Sequence, residues 1–567
     1  MALPGAMQPA AKPEWLKWVI AVTVSFGALL QVIDVSIVNV SLPQMQGNLG
    51  ATLSEIGWVI TGYAVANAIV IPLTAWLGDY FGTKAFYIFS LVAFVAASVL
   101  CGFATSLEML IISRVLQGVF GGGLLPRAQA ILFETFPPAQ HGLAQAVFGI
   151  GVIVGPTFGP TLGGYLTDTL GWRWVFFINV PVGVVAVLLA ATFLPRSIPR
   201  RHFARAIDWA GILLLALWLG SFQTFLEEGE GDGWFESGFI ARLAIVAVLG
   251  FGLFIWRELS ARYPAVDLRV LRHRSLAAGS LYAIVLGISL YGTIFVIPMF
   301  TQRILHFTAV QTGVLIIPGA LASGLIMPLI GRLMGRVDAR FVVGTGSVVI
   351  GIAMFYLAQM NINSNWHSLF WPLLWRGVGM GCMFIPLSVA TLGPIPRPEL
   401  AAASGFFNLN RQIGGSIGIA LLATVLEKRE AFHYDVLAAH TSTLSPVTQQ
   451  YLSGAQSMLA LHGFDASTAQ QAALKLVSGL VHLHAMILSF DDVYLLVGLL
   501  FLVSLPLVFF LGNGGLPPPR PWTGRNPAQV AAASLPPKSL RTGYRLQVTG
   551  CRRRKEGDGF WVLGSGC

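Results

Sequence analysis

Charged side chains are scarce in this sequence of 567 residues, where Asp, Glu, Lys and Arg together make up 11%. A soluble domain usually carries about 25% charged residues, because its surface must hold water. Hydrophobic residues reach 55%, and the mean hydropathy is +0.72. This composition excludes a soluble globular protein and is too aliphatic for an intrinsically disordered chain. It predicts a helical membrane protein with many spans.

Cysteine is also rare, and the motifs of nucleotide-dependent enzymes are missing. The four cysteines show no metal-ligand spacing and imply no disulfide framework. The phosphate-binding pattern GxxxxGK[ST] does not occur. Residues 414–418 match the esterase pattern GxSxG, but that motif needs a strand-to-helix turn and these residues lie in an apolar segment. We therefore expect no enzyme activity, no metal and no cofactor, with energy coming from a proton gradient.

Long apolar segments dominate what is present. A helix needs about 20 mostly apolar residues to cross a bilayer, and the sequence contains roughly fourteen such segments. The connections after the sixth and eighth segments are rich in arginine, whereas the connection between them is acidic. Positive loops stay on the cytoplasmic side. An even number of spans then places both termini in the cytoplasm.

Two polar stretches lie outside these segments. Residues 427–490 include a polar outer connection compatible with helix, between the last two segments. Residues 513–567 contain nine Lys or Arg against two acidic residues, which supplies +7 of the net charge of +10. This composition predicts a disordered basic cytoplasmic tail, and an altered reading frame is the alternative. The positive charge does not indicate a nucleic-acid partner.

The sequence contains an internal repeat, in which similar stretches lie eight apolar segments apart. Residues 75–84 resemble 331–340, and residues 114–118 resemble 376–381. Two six-helix halves with two helices inserted between them produce this offset, and paired halves are a transporter architecture. The predicted division is a cytoplasmic N-terminus at 1–14, a first half at 15–195, the inserted helices at 196–258, a second half at 259–512 and the tail at 513–567.

Several motifs resemble those of a known family. A sequence close to GxLxDxxGxK runs from Ala75 to Lys84, with Ala75 and Tyr80 replacing the usual Gly and Arg. The fourth segment carries RxxQG at 114–118, and the fifth carries a Gly/Pro motif at 151–164. Parts of the first segment, 34–43, and of the thirteenth, 408–416, match as well.

Over about residues 15–512 the chain resembles the major facilitator superfamily, in its fourteen-helix EmrB/QacA-type branch of drug:proton antiporters. The resemblance implies an all-α membrane protein with the major facilitator fold, in which about fourteen transmembrane helices form two six-helix halves plus two inserted helices. It implies a multi-pass protein of the cell (inner) membrane that exports drug-like small molecules in exchange for protons.

Asp34 and Arg114 are the candidate proton-coupling residues. An ionisable group at membrane depth costs on the order of 3 kcal/mol or more, which makes it a functional candidate. Asp34 lies on one helical face with Gln31 and Ser41. Arg114 stays charged, so its approach to a carboxylate or withdrawal from it links proton binding to conformation. A solvated position at the outer rim is the alternative for Asp34, and a structural hydrogen bond is the alternative for Arg114.

Two further sets of residues have predicted roles. Gly and Pro in the fifth segment allow close helix packing and a kink. The loop motif at residues 75–84 is expected on the cytoplasmic side, where it would hold neighbouring helix ends together. The predicted gating residues are Asp79, Gly82, Lys84, Gly151, Gly155, Pro156, Gly159, Pro160, Gly163 and Gly164. The predicted substrate-cavity residues are Gln31, Gln117, Asn408, Arg411 and Gln412.

The substrate itself is not defined by the sequence. The resemblance favours amphipathic or apolar drugs, and in Gram-negative relatives it implies a periplasmic adaptor of the membrane-fusion type, which we expect to dock at the outer connection. One alternative is an exporter of an endogenous compound such as a fatty acid or siderophore. Another is a membrane sensor that has a transporter fold but moves no solute.

Overall fold

The structure is a computed structural model that describes residues 13–196, 208–262, 264–441 and 445–512. Most of the predicted N-terminal segment 1–14, the arginines at 200, 201 and 205, and the predicted tail 513–567 lie outside the described residues. The described residues contain helices and no β-strand. Fourteen helices are long and apolar enough to cross a membrane, so the chain is a multi-pass membrane protein of the predicted all-α class.

The fourteen helices are numbered α1 to α14 in chain order. Their bounds are Glu14–Leu49, Glu55–Phe81, Thr83–Gly102, Leu107–Thr135, Pro138–Leu170, Trp174–Phe193, Trp209–Glu228, Gly238–Ser260, Arg274–Arg303, Val310–Leu333, Ala339–Leu357, Trp366–Leu392, Arg397–His440 and Ala466–Phe510.

Capping residues fix where several helices begin. Thr52 forms a capping box with Glu55 at the start of α2, and Thr308 forms one with Gln311 before α10. Each box satisfies two backbone N–H groups that the first turn of a helix leaves without a partner. Gly82 ends α2 with a φ of 87°, a conformation that glycine adopts without strain. These residues therefore fix the starts of α2 and α10 and the turn between α2 and α3.

The same helix packing occurs twice. Helix α1 packs against α5 and α6, and α2 packs against α4. In the second half, α9 packs against α13 and α14, and α10 against α12. The inserted helices α7 and α8 pack on each other, and α7 also contacts α2. Two six-helix halves plus an inserted pair, the predicted fold, are thus observed.

The connection between α13 and α14 is more helical than a loop. Helix α13 continues to His440, a separate helix spans Pro446–Leu461, and α14 begins at Ala466. Asp465 caps α14 by accepting hydrogen bonds from Ser467 and Thr468, which hold the pKa of its carboxyl below the usual range. We call residues 427–490 the outer hairpin, and most of it is helix because its polar residues are good helix formers.

Candidate functional site

Asp34 of α1 and Arg114 of α4 form an ion pair inside the first half. Nη1 of Arg114 lies 2.6 Å from Oδ2 of Asp34, and the side chains are 1% and 0% exposed. Asp34 is therefore not at a solvated rim. The two charges lie on different helices, so their separation requires movement of α1 relative to α4.

Two amides complete the surroundings of the Asp34 carboxylate. Nδ2 of Asn179, at the start of α6, donates to Oδ1 at 2.7 Å, and Nε2 of Gln117 donates to the same atom at 2.8 Å. Asn179 also donates to Ser98 of α3 at 3.0 Å. An ionised carboxylate only accepts hydrogen bonds. Every group around Asp34 is a donor, so the site is built for the charged form.

Arg114 is held by several further contacts. Its Nε donates to the carbonyl of Val59 at 3.1 Å, and its Nη1 donates to Oε1 of Gln117 at 2.7 Å. The guanidinium carbon lies 4.2 Å from the centre of the Tyr63 ring, a cation–π contact. Arg114 therefore connects α1, α2 and α4, and a change at Asp34 acts on all three helices.

The RxxQG motif explains this geometry. Arg114 and Gln117 are three residues apart, so they share one face of α4. Gly118 follows on the same helix, where an added Cβ would lie 2.5 Å from the carbonyl oxygen of Tyr63. Glycine is needed there because α2 approaches the backbone of α4. The motif thus supplies both polar side chains and the close contact that brings Val59 and Tyr63 to them.

The five predicted cavity residues occupy different places. Gln117 belongs to the Asp34 cluster. Gln31 accepts a hydrogen bond from the backbone of Leu125 at 3.1 Å and donates to Asn67 at 3.5 Å. Gln412 donates to the carbonyl of Ala64 at 3.3 Å.

Asn408 and Arg411 lie on α13. Asn408 donates to Oε1 of Gln129 on α4 at 2.7 Å, so it joins the two halves. Arg411 is 2% exposed, and its Nε and Nη1 have no hydrogen-bond partner among the described residues. The structure therefore does not gather the predicted set into a single cluster.

The predicted cytoplasmic latch acts on a nearby helix of the same half. Nζ of Lys84 donates to the carbonyls of Ala191 at 2.6 Å and Leu194 at 2.8 Å, at the C-terminal end of α6. Carbonyls at a helix C-terminus attract a cation. Asp79 lines a crevice of about 360 Å³ on the same face. These contacts suit a conformational role, which remains a prediction.

The glycines of α5 lie against α1, as close packing requires. A Cβ at Gly155 would lie 3.0 Å from Val32, one at Gly151 would lie 3.3 Å from the carbonyl of Ser25, and one at Gly163 would lie 2.8 Å from the carbonyl of Ile37. Gly159 faces Ser36 of α1. The two prolines lie within the helix.

The second half contains a partial copy of the ion-pair site. Arg376 of α12 corresponds to Arg114 of α4, and its Nη1 donates to Thr293 of α9. No carboxylate lies within ion-pair distance of Arg376 among the described residues. Among the described residues the buried ion pair is therefore found in the first half and not at the corresponding arginine of the second half, so the two halves differ in chemistry.

Several residues of the site were not predicted. Asn179, Ser98 and Tyr63 are neutral residues in apolar segments, and nothing in their spacing points to Asp34. Glu227 and Glu228 were expected in the acidic connection, but they end α7. Ser416 donates to Glu227 at 2.9 Å, and Thr61 donates to Glu228 at 2.7 Å.

This combination of two six-helix bundles and a buried carboxylate–guanidinium pair defines a membrane transporter of the facilitator type. The family model of the Major Facilitator Superfamily matches residues 24–419. The chain is 34% identical over 502 residues to the multidrug export protein EmrB of Escherichia coli strain K12, covering 88% of this chain and 96% of EmrB. The chain belongs to the Major Facilitator Superfamily, in its EmrB-type branch, which confirms the predicted resemblance.

Other relatives agree with this assignment. The chain is 31% identical over 517 residues to the fatty acid resistance protein FarB of Neisseria gonorrhoeae, covering 89% of this chain and 99% of FarB. The solved proton:xylose symporter XylE has a TM-score of 0.57 at 11% identity, covering 88% of this chain and 97% of XylE. The human organic anion transporter MFSD10 has a TM-score of 0.55 at 14% identity, covering 87% of this chain and 100% of MFSD10. The two structures show the fold alone.

Proposed function

We propose that this protein is a proton-coupled multidrug exporter that works by alternating access in the inner membrane, with both termini in the cytoplasm. The export role rests on the likeness to EmrB. The coupling role rests on one observation, the buried contact of Asp34 with Arg114, Gln117 and Asn179.

Protonation of Asp34 provides the coupling step. The proton neutralises the carboxylate, which removes the charge attraction to Arg114 and converts one oxygen from an acceptor to a donor. Asn179 and Gln117 both donate to Oδ1, so that oxygen cannot carry the proton without losing a hydrogen bond. Proton uptake therefore loosens α1 from α4 and α6, and proton release restores the contact.

A proton gradient supplies enough energy without a cofactor. One elementary charge crossing the membrane gains about 2.3 kcal/mol per 100 mV, and each pH unit adds about 1.4 kcal/mol. Concentrating a substrate a hundredfold requires about 2.7 kcal/mol. One proton per substrate is therefore sufficient, and the proposed cycle exchanges protons from outside for an apolar or amphipathic drug from inside.

The outer hairpin is the proposed docking surface for a periplasmic adaptor of the membrane-fusion type. It carries exposed apolar side chains beyond the membrane-spanning segments, including Tyr451, Met458 and Leu461. Such patches mark interaction sites. Co-purification of an adaptor, compared between the whole protein and a version with a shortened hairpin, tests this assignment, and equal recovery would overturn it.

Asp34→Asn tests the coupling. The amide keeps the shape of the side chain but cannot change charge, so we expect drug-driven proton release in proteoliposomes to fall to the level of empty liposomes. Energy-independent exchange of the same drug should continue. The matched control is Asp208→Asn, because Asp208 also pairs with an arginine, Arg257 at 2.9 Å, but lies at the inner end of α7.

The control should keep wild-type proton release. Loss of exchange as well as of proton release in Asp34→Asn, at equal membrane abundance, would show a folding defect. Proton release like that of the wild type would remove Asp34 from the mechanism and end the coupling proposal.

Export of a fatty acid is the second candidate function. The observation that favours it is the 31% identity to FarB over almost the whole of both chains. Parallel efflux assays with a fluorescent drug cation and a labelled fatty acid separate the two functions. An uncoupler should abolish export of the true substrate, whereas a non-transporting sensor would move neither.

A further inference from the structure

Arg411, in the middle of α13, is a buried cation without a counter-ion. The side chain is 2% exposed, and its Nε and Nη1 make no hydrogen bond to any described residue. No Asp or Glu of the described ranges lies within 4.0 Å of its guanidinium. Arg114 has equal burial but has a carboxylate, a carbonyl and an amide around it. Removal of an arginine from water without such partners is strongly unfavourable.

The surroundings of Arg411 place it beside the boundary between the halves. Its guanidinium carbon lies 5.6 Å from the centre of the Phe384 ring of α12. Phe384 in turn lies against Gly149 of α5, where an added Cβ would be 3.2 Å from the ring. Helix α5 belongs to the first half and α12 to the second.

The second aromatic side chain of this region is Tyr291 of α9. Tyr291 is only partly buried, although α9 is otherwise largely covered. Its ring lies against Gly415, one turn along α13 from Arg411. Phe384 thus lies near the guanidinium and Tyr291 lies against α13 one turn away from it, and no acidic side chain of the described ranges pairs with Arg411.

We propose that Arg411 binds the anionic headgroup of a monoanionic amphiphile, a carboxylate at the end of an apolar chain, as a transported substrate. A guanidinium presents parallel N–H donors that match the two oxygens of a carboxylate. Phe384 and Tyr291 contribute the apolar surface for the adjoining chain. This inference rests on the proposed export function and names one of its substrate classes.

Matched ligands make the proposal testable. The purified full-length protein in phosphatidylcholine nanodiscs is titrated with dodecanoate and with dodecyltrimethylammonium, which share a chain length and differ in the sign of the charge. Arg411→Gln should weaken dodecanoate binding at least about tenfold, about 1.4 kcal/mol, and leave the ammonium compound unchanged or bound more tightly. Arg411→Lys should bind dodecanoate with intermediate affinity, because lysine keeps the positive charge but lacks the paired N–H donors of the planar guanidinium.

Arg376→Gln is the control. It removes another buried arginine of the second half that has no counter-ion among the described residues, but whose Nη1 already donates to Thr293. Binding of dodecanoate should remain like that of the wild type. Equal loss in both variants, or unchanged dodecanoate binding in Arg411→Gln, would overturn the proposal. So would competition by phosphatidylglycerol in the nanodisc, which would identify a lipid site.

Export of an ethidium-type cation by the wild-type protein in proteoliposomes separates this proposal from the proposed export function. If the wild type exports the cation but never binds dodecanoate, the anion subsite is wrong and the exporter stands. If no solute is exported by the wild type, the exporter is wrong whatever Arg411 binds.

Discussion

Asp34 and Arg114 stabilise each other only as a pair. Breaking a buried pair by removing one partner costs about 3–5 kcal/mol, because the remaining charge stays desolvated. Gln117 contacts both members, donating to Asp34 and accepting from Arg114. Proton binding is a milder way to separate the two, because it neutralises the acid instead of leaving two bare charges. A transporter that must open and reclose on every cycle needs such a reversible step.

Arg114→Lys should leave partial activity. Lysine keeps the charge beside Asp34 but cannot also reach the carbonyl of Val59 and the amide of Gln117 with a planar fork. Loss of these hydrogen bonds should destabilise the fold by about 1–3 kcal/mol and lower the rate of drug-driven proton release without abolishing it. Thermal unfolding in detergent and proteoliposome transport measure the two effects.

Arg173→Lys provides the comparison for this variant. Arg173 binds the carbonyl of Ala104 at 3.1 Å and stacks on Trp172 in the outer connection before α6. Because it touches neither charge of the buried pair, transport should stay at the wild-type rate. If Arg114→Lys transports as well as Arg173→Lys, the fork geometry has no role in coupling.

At the level of single residues, the charged members of the site could be predicted from the sequence, whereas their uncharged partners could not. Asp34 and Arg114 stand out because ionisable groups are rare and costly in apolar segments. Asn179, on α6, and Tyr63, on α2, carry no such signal, since amides and tyrosines also occur in helices for packing. Arg411 was grouped with Gln412 and Asn408 because all three match the thirteenth-helix motif of the family. At i, i+3 and i+4 the three side chains share one face of α13. Their neighbours differ, because Asn408 contacts Gln129 of α4 and Gln412 contacts Ala64 of α2.

Close packing at the level of helices depends on individual glycines. A Cβ added to Gly163 of α5 would lie 2.8 Å from the carbonyl oxygen of Ile37 on α1, whereas one added to Gly164 would lie 3.9 Å from Val40. The same relation appears in the second half, where Gly414 of α13 faces the backbone of Ile284 on α9. Both contacts join the first and fifth helix of a half, so the predicted internal repeat is visible in the packing.

Gly163→Ala should therefore separate α1 from α5. The added Cβ would lie 2.8 Å from a backbone oxygen that cannot rotate away, and overpacking of this kind costs about 1–3 kcal/mol. Because α1 carries Asp34, we expect both a lower melting temperature and weaker proton coupling. Gly164→Ala, one residue away, would place its Cβ in ordinary van der Waals contact with Val40 at 3.9 Å, so it should melt and transport like the wild type. Equal behaviour of the two variants would contradict the packing argument.

The inserted helix α7 also has a structural position that composition did not reveal. Glu228 accepts a hydrogen bond from Thr61 of the first half, and Glu227 accepts one from Ser416 of the second. Trp234, just beyond α7, donates to Thr424 at 3.0 Å. The acidic residues were expected in solvent because they follow an apolar run. Tertiary contacts instead extend the helix and bring the outer end of α7 against both halves.

At the scale of the whole molecule, a cluster of neutral polar residues around Gln129, near the C-terminal end of α4, joins the two halves. Oε1 of Gln129 on α4 accepts hydrogen bonds from Asn408 at 2.7 Å and from Ser404 at 3.2 Å on α13. Nε2 of Gln129 lies 3.4 Å from Ser388 of α12 and from Gln145 of α5. One glutamine thus joins helices of both halves. The sequence predicted two halves, but not which side chains join them, because these contacts span more than 250 positions.

Gln129→Leu should shift the whole molecule toward inner opening. Leucine fills a similar volume but neither accepts nor donates a hydrogen bond, so the contacts with Asn408, Ser404 and Ser388 are lost between the halves, at about 0.5–1.5 kcal/mol each. Spin labels at Ala139 and Arg336, exposed on the inner faces of the first and second half, report their separation in a background without native cysteines. We expect the distance distribution to gain a longer component. Gln145→Leu removes only a weak 3.4 Å contact within the first half and should leave the distribution unchanged. A distribution for Gln129→Leu that matches the control would show that the halves are closed by their apolar packing alone.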